Sequence, residues 1–355
     1  MGRAPARNRA AVADAAASSA LVVARPPAVI RAPGIELELP AIIADAGHDA
    51  TEATLEFFIA RIPNPNTREA YGRAVARFCR WCDTHALALD DIAPPVVASY
   101  LEALGQELEV PSVKLHLAGL RHWLDWLAQR GVLPSNPAAS VRGPRHVVRE
   151  GKTPVLERSE ARRLFESIPT DDVVSLRDRA MLAVMLFQFV RVGAVVKMRV
   201  KAFADDASGG TLAVREKGGK HRRIPCHHQA REYLRAYLDA AGVTTDVPAG
   251  GEAPSPDAKT PLFQSAPRWS KILSGKPMRR QDVLRMVKRR CAAAGLPASF
   301  CNHSFRGTGI TIHLENGGSI EAAQDLAGHA DISTTRLYDR RKRKAQRTEV
   351  ERVQI

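Results

Sequence analysis

His303-Ser304-Phe305-Arg306 near the C-terminus is followed by Gly328-His329 and then, nine residues on, by Tyr338. Arg191 lies well upstream, at the end of an apolar segment that reads as a helix. Together these residue types suit a phosphodiester. Arginine presents a rigid fork that donates to two oxygens and keeps its charge at any working pH, so Arg191 and Arg306 could grip one phosphate from two sides. His303 and His329 add donors or move protons near neutrality. Tyr338 supplies a nucleophile, weak until nearby cations lower the cost of its phenolate. The leaving 5′ hydroxyl needs a proton, and Lys217, at the tip of an expected hairpin, is a suitable donor. No carboxylate cluster suits two magnesium ions, which disfavours a metal-dependent nuclease; neither cofactor nor metal is expected.

Each residue also has a plainer role. An arginine at a helix end is commonly a solvated or capping residue. His-x-x-Arg on one helix face is commonly a surface pair. Lys217-Gly218-Gly219-Lys220 is commonly a simple turn, and it lacks the glycine spacing of a nucleotide-binding P-loop. The set gains weight from its order along the chain.

The elements that must position this set can be sketched from the pattern. A length of 355 residues sets an expectation of about two domains, and 45% apolar residues suffice for real cores. A net charge of +14 points to a polyanion, with nucleic acid ahead of membrane. No apolar run is long enough to span a bilayer. Five cysteines, an odd and small number without a secretory signal, fit a reducing cytoplasm. Cys79 and Cys82 stand at i, i+3 with no second pair to complete a zinc site, and read as packed thiols.

Residues 1–48, rich in Ala, Pro and Arg, are expected to form a disordered or weakly ordered tail; an organelle transit peptide has similar composition. Residues 49–138 read as a helical domain. Asn66 and Glu69 suit a capping box, Tyr71, Val75, Phe78 and Cys82 recur at helical spacing, and further helices are expected at 94–104 and from Ser112 to Gly131. Arg73, Arg77, Lys114 and Arg121 ride on these helices as a candidate DNA face. Residues 139–154, with Arg142, Arg145 and Arg149, form a basic linker able to contact phosphates. Residues 155–345 read as a second, mainly helical domain. A small antiparallel sheet is expected from Thr211–Val214 and Arg222–Pro225 around the turn carrying Lys217 and Lys220. Residues 346–355 make a C-terminal tail.

With these motifs in place, the chain from about residue 50 to 345 resembles the tyrosine recombinase family of phage integrases and Xer proteins. Arg177-Asp178-Arg179-Ala180 leading to Arg191-Val192-Gly193 is similar to the family's first box, and Glu216-Lys217-Gly218-Gly219-Lys220-His221-Arg222 resembles its lysine hairpin. His303-Ser304-Phe305-Arg306 is similar to the second box, and Leu326-Ala327-Gly328-His329 through Tyr338 resembles the closing motif. Three positions depart from the pattern: Ala194 stands where an acidic residue is usual, Phe189 where a small one is, and Gly307 where a histidine often follows the second arginine.

The resemblance implies a mainly α fold with a small antiparallel β-sheet, built as a helical core-binding domain and an α+β catalytic domain that clamp double-stranded DNA. It implies site-specific recombination through a 3′-phosphotyrosine on Tyr338, with Arg191, Lys217, His303, Arg306 and His329 as the other catalytic residues and no cofactor. It further implies four protomers on DNA, a Holliday junction, room for an accessory DNA-bending protein, and a bacterial, nucleoid-associated setting. The alternatives are a catalytically impaired DNA-binding relative and a type IB topoisomerase, which shares the tyrosine chemistry without pairing sites.

Overall fold

A computed structural model describes residues 28–32, 35–145, 151–206, 209–215, 219, 221–243, 256–267 and 270–339. The chain divides into two compact units, Met1–Val147 and Val148–Ile355.

The first unit opens on an antiparallel pair, β1 (Ala28–Ala32) and β2 (Ile35–Leu39), with Ala28 opposite Leu39. Helices α1 (Ala41–Asp45) and α2 (His48–Glu56) follow. Part of the segment expected to be a tail is therefore built into this unit: Leu39, Ile42 and Ile43 are buried in its core. The scattered apolar residues of the tail carried that information, but the surrounding Ala and Pro masked it. α2 runs into a π-helical turn, Phe57–Arg61, whose wider winding turns both Phe57 and Phe58 inward.

Next come α3 (Pro65–Thr84), α4 (Pro94–Glu107) and α5 (Val110–Gln129). The cap of α3 is Asn64, which accepts from the Asn66 amide at 3.0 Å ahead of Pro65 at the first helical position. The expected box at Asn66 thus lies two residues too late. Val75, Phe78 and Cys82 are buried as their spacing predicts, with Tyr71 at the edge. Gly119 lets α3 and α5 approach closely, since a Cβ there would lie 3.2 Å from the Tyr71 ring. Cys79 and Cys82 are free buried thiols, and burial pushes Cys82 up to about 12, so both are packing residues.

The second unit holds α6 (Arg158–Ser167), α7 (Val173–Phe187) and α8 (Val192–Val195). A three-stranded antiparallel sheet follows in the order β3 (Phe203–Ala204), β4 (Thr211–Arg215), β5 (His221–Pro225). Its two longer strands are the expected hairpin; β3, only two residues long, gives no readable alternation. The last described α-helices are α9 (His228–Ala240), α10 (Arg280–Ala293), α11 (Asn302–Glu315), α12 (Ile320–Ala327) and α13 (Ile332–Arg336).

α7 is buried nearly all round and packs against α9 and α11, which makes it the central post of this unit. Its polar start is anchored by a charge network. Asp178, fully buried, accepts from Arg177 at 2.6 Å and from Arg289 and Arg290 of α10 at 3.0 and 2.9 Å. Arg290 also reaches Ser175 at 2.9 Å, and Arg177 donates to the Gln264 carbonyl at 2.8 Å. Asp178→Ala would leave two inward-facing guanidiniums without their carboxylate, so a loss of about 3–5 kcal/mol is expected, read as a fall in Tm. An unchanged Tm would mean that those arginines find other partners.

Candidate active site

α7 ends at Phe187, earlier than the apolar pattern suggests, so Arg191 does not close that helix. It is instead the N-terminal flanking residue of α8, with extended backbone at φ −67° and ψ 140°. The turn between them is special: Phe189 has a left-handed φ of 52°. That conformation favours small residues, which accounts for Phe189 being a departure from the family pattern. The ring is accommodated by Gly309 on α11. A Cβ at 309 would collide with the Leu186 carbonyl and lie 2.7 Å from the Phe189 ring.

α11 starts at a capping arrangement in which the Cys301 amide donates to Ser304 Oγ at 3.0 Å. His303 lies in the first turn, more exposed than its neighbours, while Arg306 one turn on is 1% exposed. Arg306 donates through Nη1 to the Phe189 carbonyl and through Nη2 to the Ala327 carbonyl, the latter at 2.6 Å. One guanidinium therefore ties the turn before Arg191 to the end of α12.

α12 stops at Gly328, which takes φ 61° and ψ 44°, a left-handed C-cap open to glycine at little cost. His329 follows, 7% exposed. Its amide donates to the Gln324 carbonyl at 3.1 Å, and its Nδ1 is 2.9 Å from Thr335 Oγ1. Loss of hydration, then the charges of Arg306, Arg191 and Arg222, push the imidazole down to about 3. His303 is lowered for the same first reason, and then by Arg306 and Arg191. Both rings are neutral at physiological pH, in a positive field that would favour an anion.

Tyr338 sits just past α13. Its amide donates to the Thr335 carbonyl at 3.0 Å, and its carbonyl accepts from Thr311 Oγ1 of α11 at 3.0 Å. The ring lies nearly parallel to His329, 6.0 Å between centroids at 9°, and over Gly307, whose Cβ would be 3.2 Å from it. Gly307, the third departure, thus leaves room for the tyrosine. Ala194, the remaining departure, is a buried residue of α8.

Arg191, His303, Arg306, His329 and Tyr338 are thereby brought into one region of the second unit. Lys217 lies outside the described residues, as do Lys220 and Arg149. Among the basic residues of the first unit, Lys114, Arg142 and Arg145 are exposed. Arg73 pairs with Glu69 and Arg77 with Glu107 at 2.5 Å, contacts that cost little to exchange for phosphate. Arg121 has a different use: it donates to the carbonyls of Ala138, at 3.2 Å, and Val141, fastening the start of the expected linker to α5. Val141 is buried there, so that stretch is not a free strap. Thr311, Thr335 and Arg222 were not singled out from sequence, because nothing in their local pattern separates them from ordinary helix and strand residues.

The histidine environment has a measurable consequence. Between its ordinary value of 6.5 and about 3, His329 is protonated in the unfolded chain but not in the folded one. The unfolded state then binds more protons, so the contribution to stability present above pH 6.5 is lost as pH falls through that window. In NMR titration of the DNA-free protein, the His329 ring is expected to keep neutral-form shifts below its ordinary midpoint. A normal midpoint would contradict the environment described.

Comparison with known proteins places the chain in a family. The model of the phage integrase family matches residues 154–345, and that of the phage integrase N-terminal SAM-like domain matches residues 56–131. Tyrosine recombinase XerC of Ralstonia pickettii (strain 12J) is 31% identical over 309 residues, covering 83% of this chain and 90% of that protein. Tyrosine recombinase XerD of Pseudomonas aeruginosa is 28% identical over 274 residues, covering 77% and 86%. Among solved structures, the XerH recombinase bound to palindromic difH substrate in a post-cleavage complex superposes with a TM-score of 0.61 at 17% identity, covering 82% of this chain and 84% of that one. A lambda integrase tetramer bound to a Holliday junction gives 0.59 at 20% identity, covering 83% and 80%. The chain belongs to the phage integrase family and is a tyrosine-type site-specific DNA recombinase.

Proposed function

We propose that Tyr338 is the nucleophile of a reversible DNA strand transfer. Its phenolic oxygen attacks the scissile phosphorus while its proton passes to the neutral His303, the bond to the 5′ oxygen breaks, and a 3′-phosphotyrosine forms. Arg191 and Arg306 hold the non-bridging oxygens, while His303 and His329, neutral beforehand, donate to the phosphate as its charge gathers. Lys217 gives its proton to the leaving 5′ oxygen. The 5′ hydroxyl of a partner strand then attacks the phosphotyrosine, its proton passing back to Lys217 while His303 returns a proton to the phenolate, restoring the phosphodiester and the free phenol. One phosphoester replaces another at each step, so neither an external energy source nor water is consumed.

The observation that carries this reading is the seat of Tyr338. Its ring is stacked on His329 and laid over Gly307, and its backbone is fixed to α11 and α13, beside the arginine-lined region. The same chain that binds the phosphate thus holds the attacking group near it, which removes much of the entropic cost of attack.

The exposed Lys114, Arg142 and Arg145, with Arg73 and Arg77 released from their glutamates, contact the DNA backbone in this scheme. Arg149 and Lys220 are proposed for the same role on charge alone. Assembly is proposed as four protomers on two paired sites, with residues 346–355 docking on a neighbour; lambda integrase, a structural relative, forms a tetramer on a Holliday junction. Integration, excision and resolution of joined chromosomes all use this chemistry.

On a nicked suicide duplex the unaltered protein is expected to become covalently attached to DNA, and Tyr338→Phe to bind without attachment. Covalent trapping of the Phe variant would sink the nucleophile assignment.

A further inference from the structure

At the carboxyl end of α12 the Gly328 amide reaches the Asp325 carbonyl at 3.0 Å, and the carbonyls of this last turn are otherwise short of partners within the helix. Three consecutive ones are met by arginines from elsewhere in the unit. Arg306 takes Ala327, at 2.6 Å. Arg222, on β5, takes the two before it: Nη1 donates to the Asp325 carbonyl and Nη2 to that of Leu326 at 3.0 Å. A cation at this end of a helix also meets the negative pole of its dipole. Gly328 and His329 follow at once, so the main chain that delivers His329 leaves from a clamped helix end.

β5 is a firm base for such a clamp. Val214 pairs with Arg222 across the sheet, Leu212 with Ile224, and Ile224 and Val214 are both buried in the main core. Thr335 supports His329 from the other side through Nδ1. Without Arg222 the helix end keeps its contact to Arg306, a residue the reaction also needs on the phosphate.

We propose that Arg222 is a positioning residue for strand cleavage: by clamping the end of α12 to the sheet, it sets where His329 meets the phosphate. The inference rests on the Tyr338 reading above. It separates Arg222 from its hairpin neighbour Lys217, since Arg222 acts through the phosphate-binding side and Lys217 through the leaving group. A lysine cannot replace it, because one ammonium lacks the planar fork that reaches two successive carbonyls.

The test uses the full chain on a suicide duplex, with ordinary DNA and with DNA carrying a 5′-bridging phosphorothiolate, whose sulfur leaves without a proton. Arg222→Ala is expected to slow covalent attachment by about 10²-fold, the effect of displacing a reactive group by roughly an ångström, with single-site DNA binding and Tm retained. Arg222→Lys should be slowed as well. The phosphorothiolate should restore Lys217→Ala but not Arg222→Ala. Parental rates in either Arg222 variant, or restoration of Arg222→Ala by sulfur, would overturn the proposal.

A second measurement does not depend on cleavage. In DNA-free Arg222→Lys, which keeps the charge but loses the clamp, the His329 ring resonances are expected to move; unmoved resonances would also overturn it. If the unaltered chain forms no covalent complex, the Tyr338 reading fails, while these resonances still decide the placement of His329.

Discussion

A single buried guanidinium organises the catalytic unit. Arg306 lies in the middle of α11, almost wholly removed from water, and donates to the carbonyls of Phe189 and Ala327. Those carbonyls belong to the two turns that introduce Arg191 and His329. A buried charge is costly unless its donors are met, so the surrounding chain is constrained to place carbonyls around it. That requirement fixes both turns at once. It also explains two unusual backbone positions next to the site: the left-handed Phe189 and the left-handed Gly328 are where the chain bends to bring those carbonyls inward.

The electrostatic character of the site follows from the same placement. Burial lowers both His303 and His329, and the charges of Arg306 and Arg191 add to its effect. The imidazoles are held neutral, so they do not add to the repulsion among the arginines before a substrate arrives. A bound phosphate would reverse the balance of charge around them and make donation favourable. The site is thus built for an anion.

Departures from the family pattern become intelligible as steric pairs. Phe189 needs space that Gly309 supplies, and Tyr338 rests where a side chain at Gly307 would stand. The charge network around Asp178 acts at a longer range, locking α7 to α10 so that the post leading toward Arg191 stays in place. In the first unit, Arg121 shows how a basic residue on a helix can be structural, since its fork closes on the backbone of residues 138 and 141.

Much of this was legible from the sequence. Apolar spacing located the long helices, the glycine turn located the hairpin, and the order Arg191, Lys217, His303, Arg306, His329, Tyr338 identified the family and its chemistry. These signals are local or ordinal, and a linear text preserves them. The end of α7 before Arg191, the Asn64 cap and the elements β1, β2 and α1 are not legible in the sequence, because composition and period blur boundaries that one hydrogen bond or one buried contact decides. What only the tertiary structure decided is which cations face inward. Arg222, Arg306 and Arg121 are one residue type with one local propensity; the carbonyls that claim them come from segments 17 to 117 positions away, and no nearby residue encodes those distances.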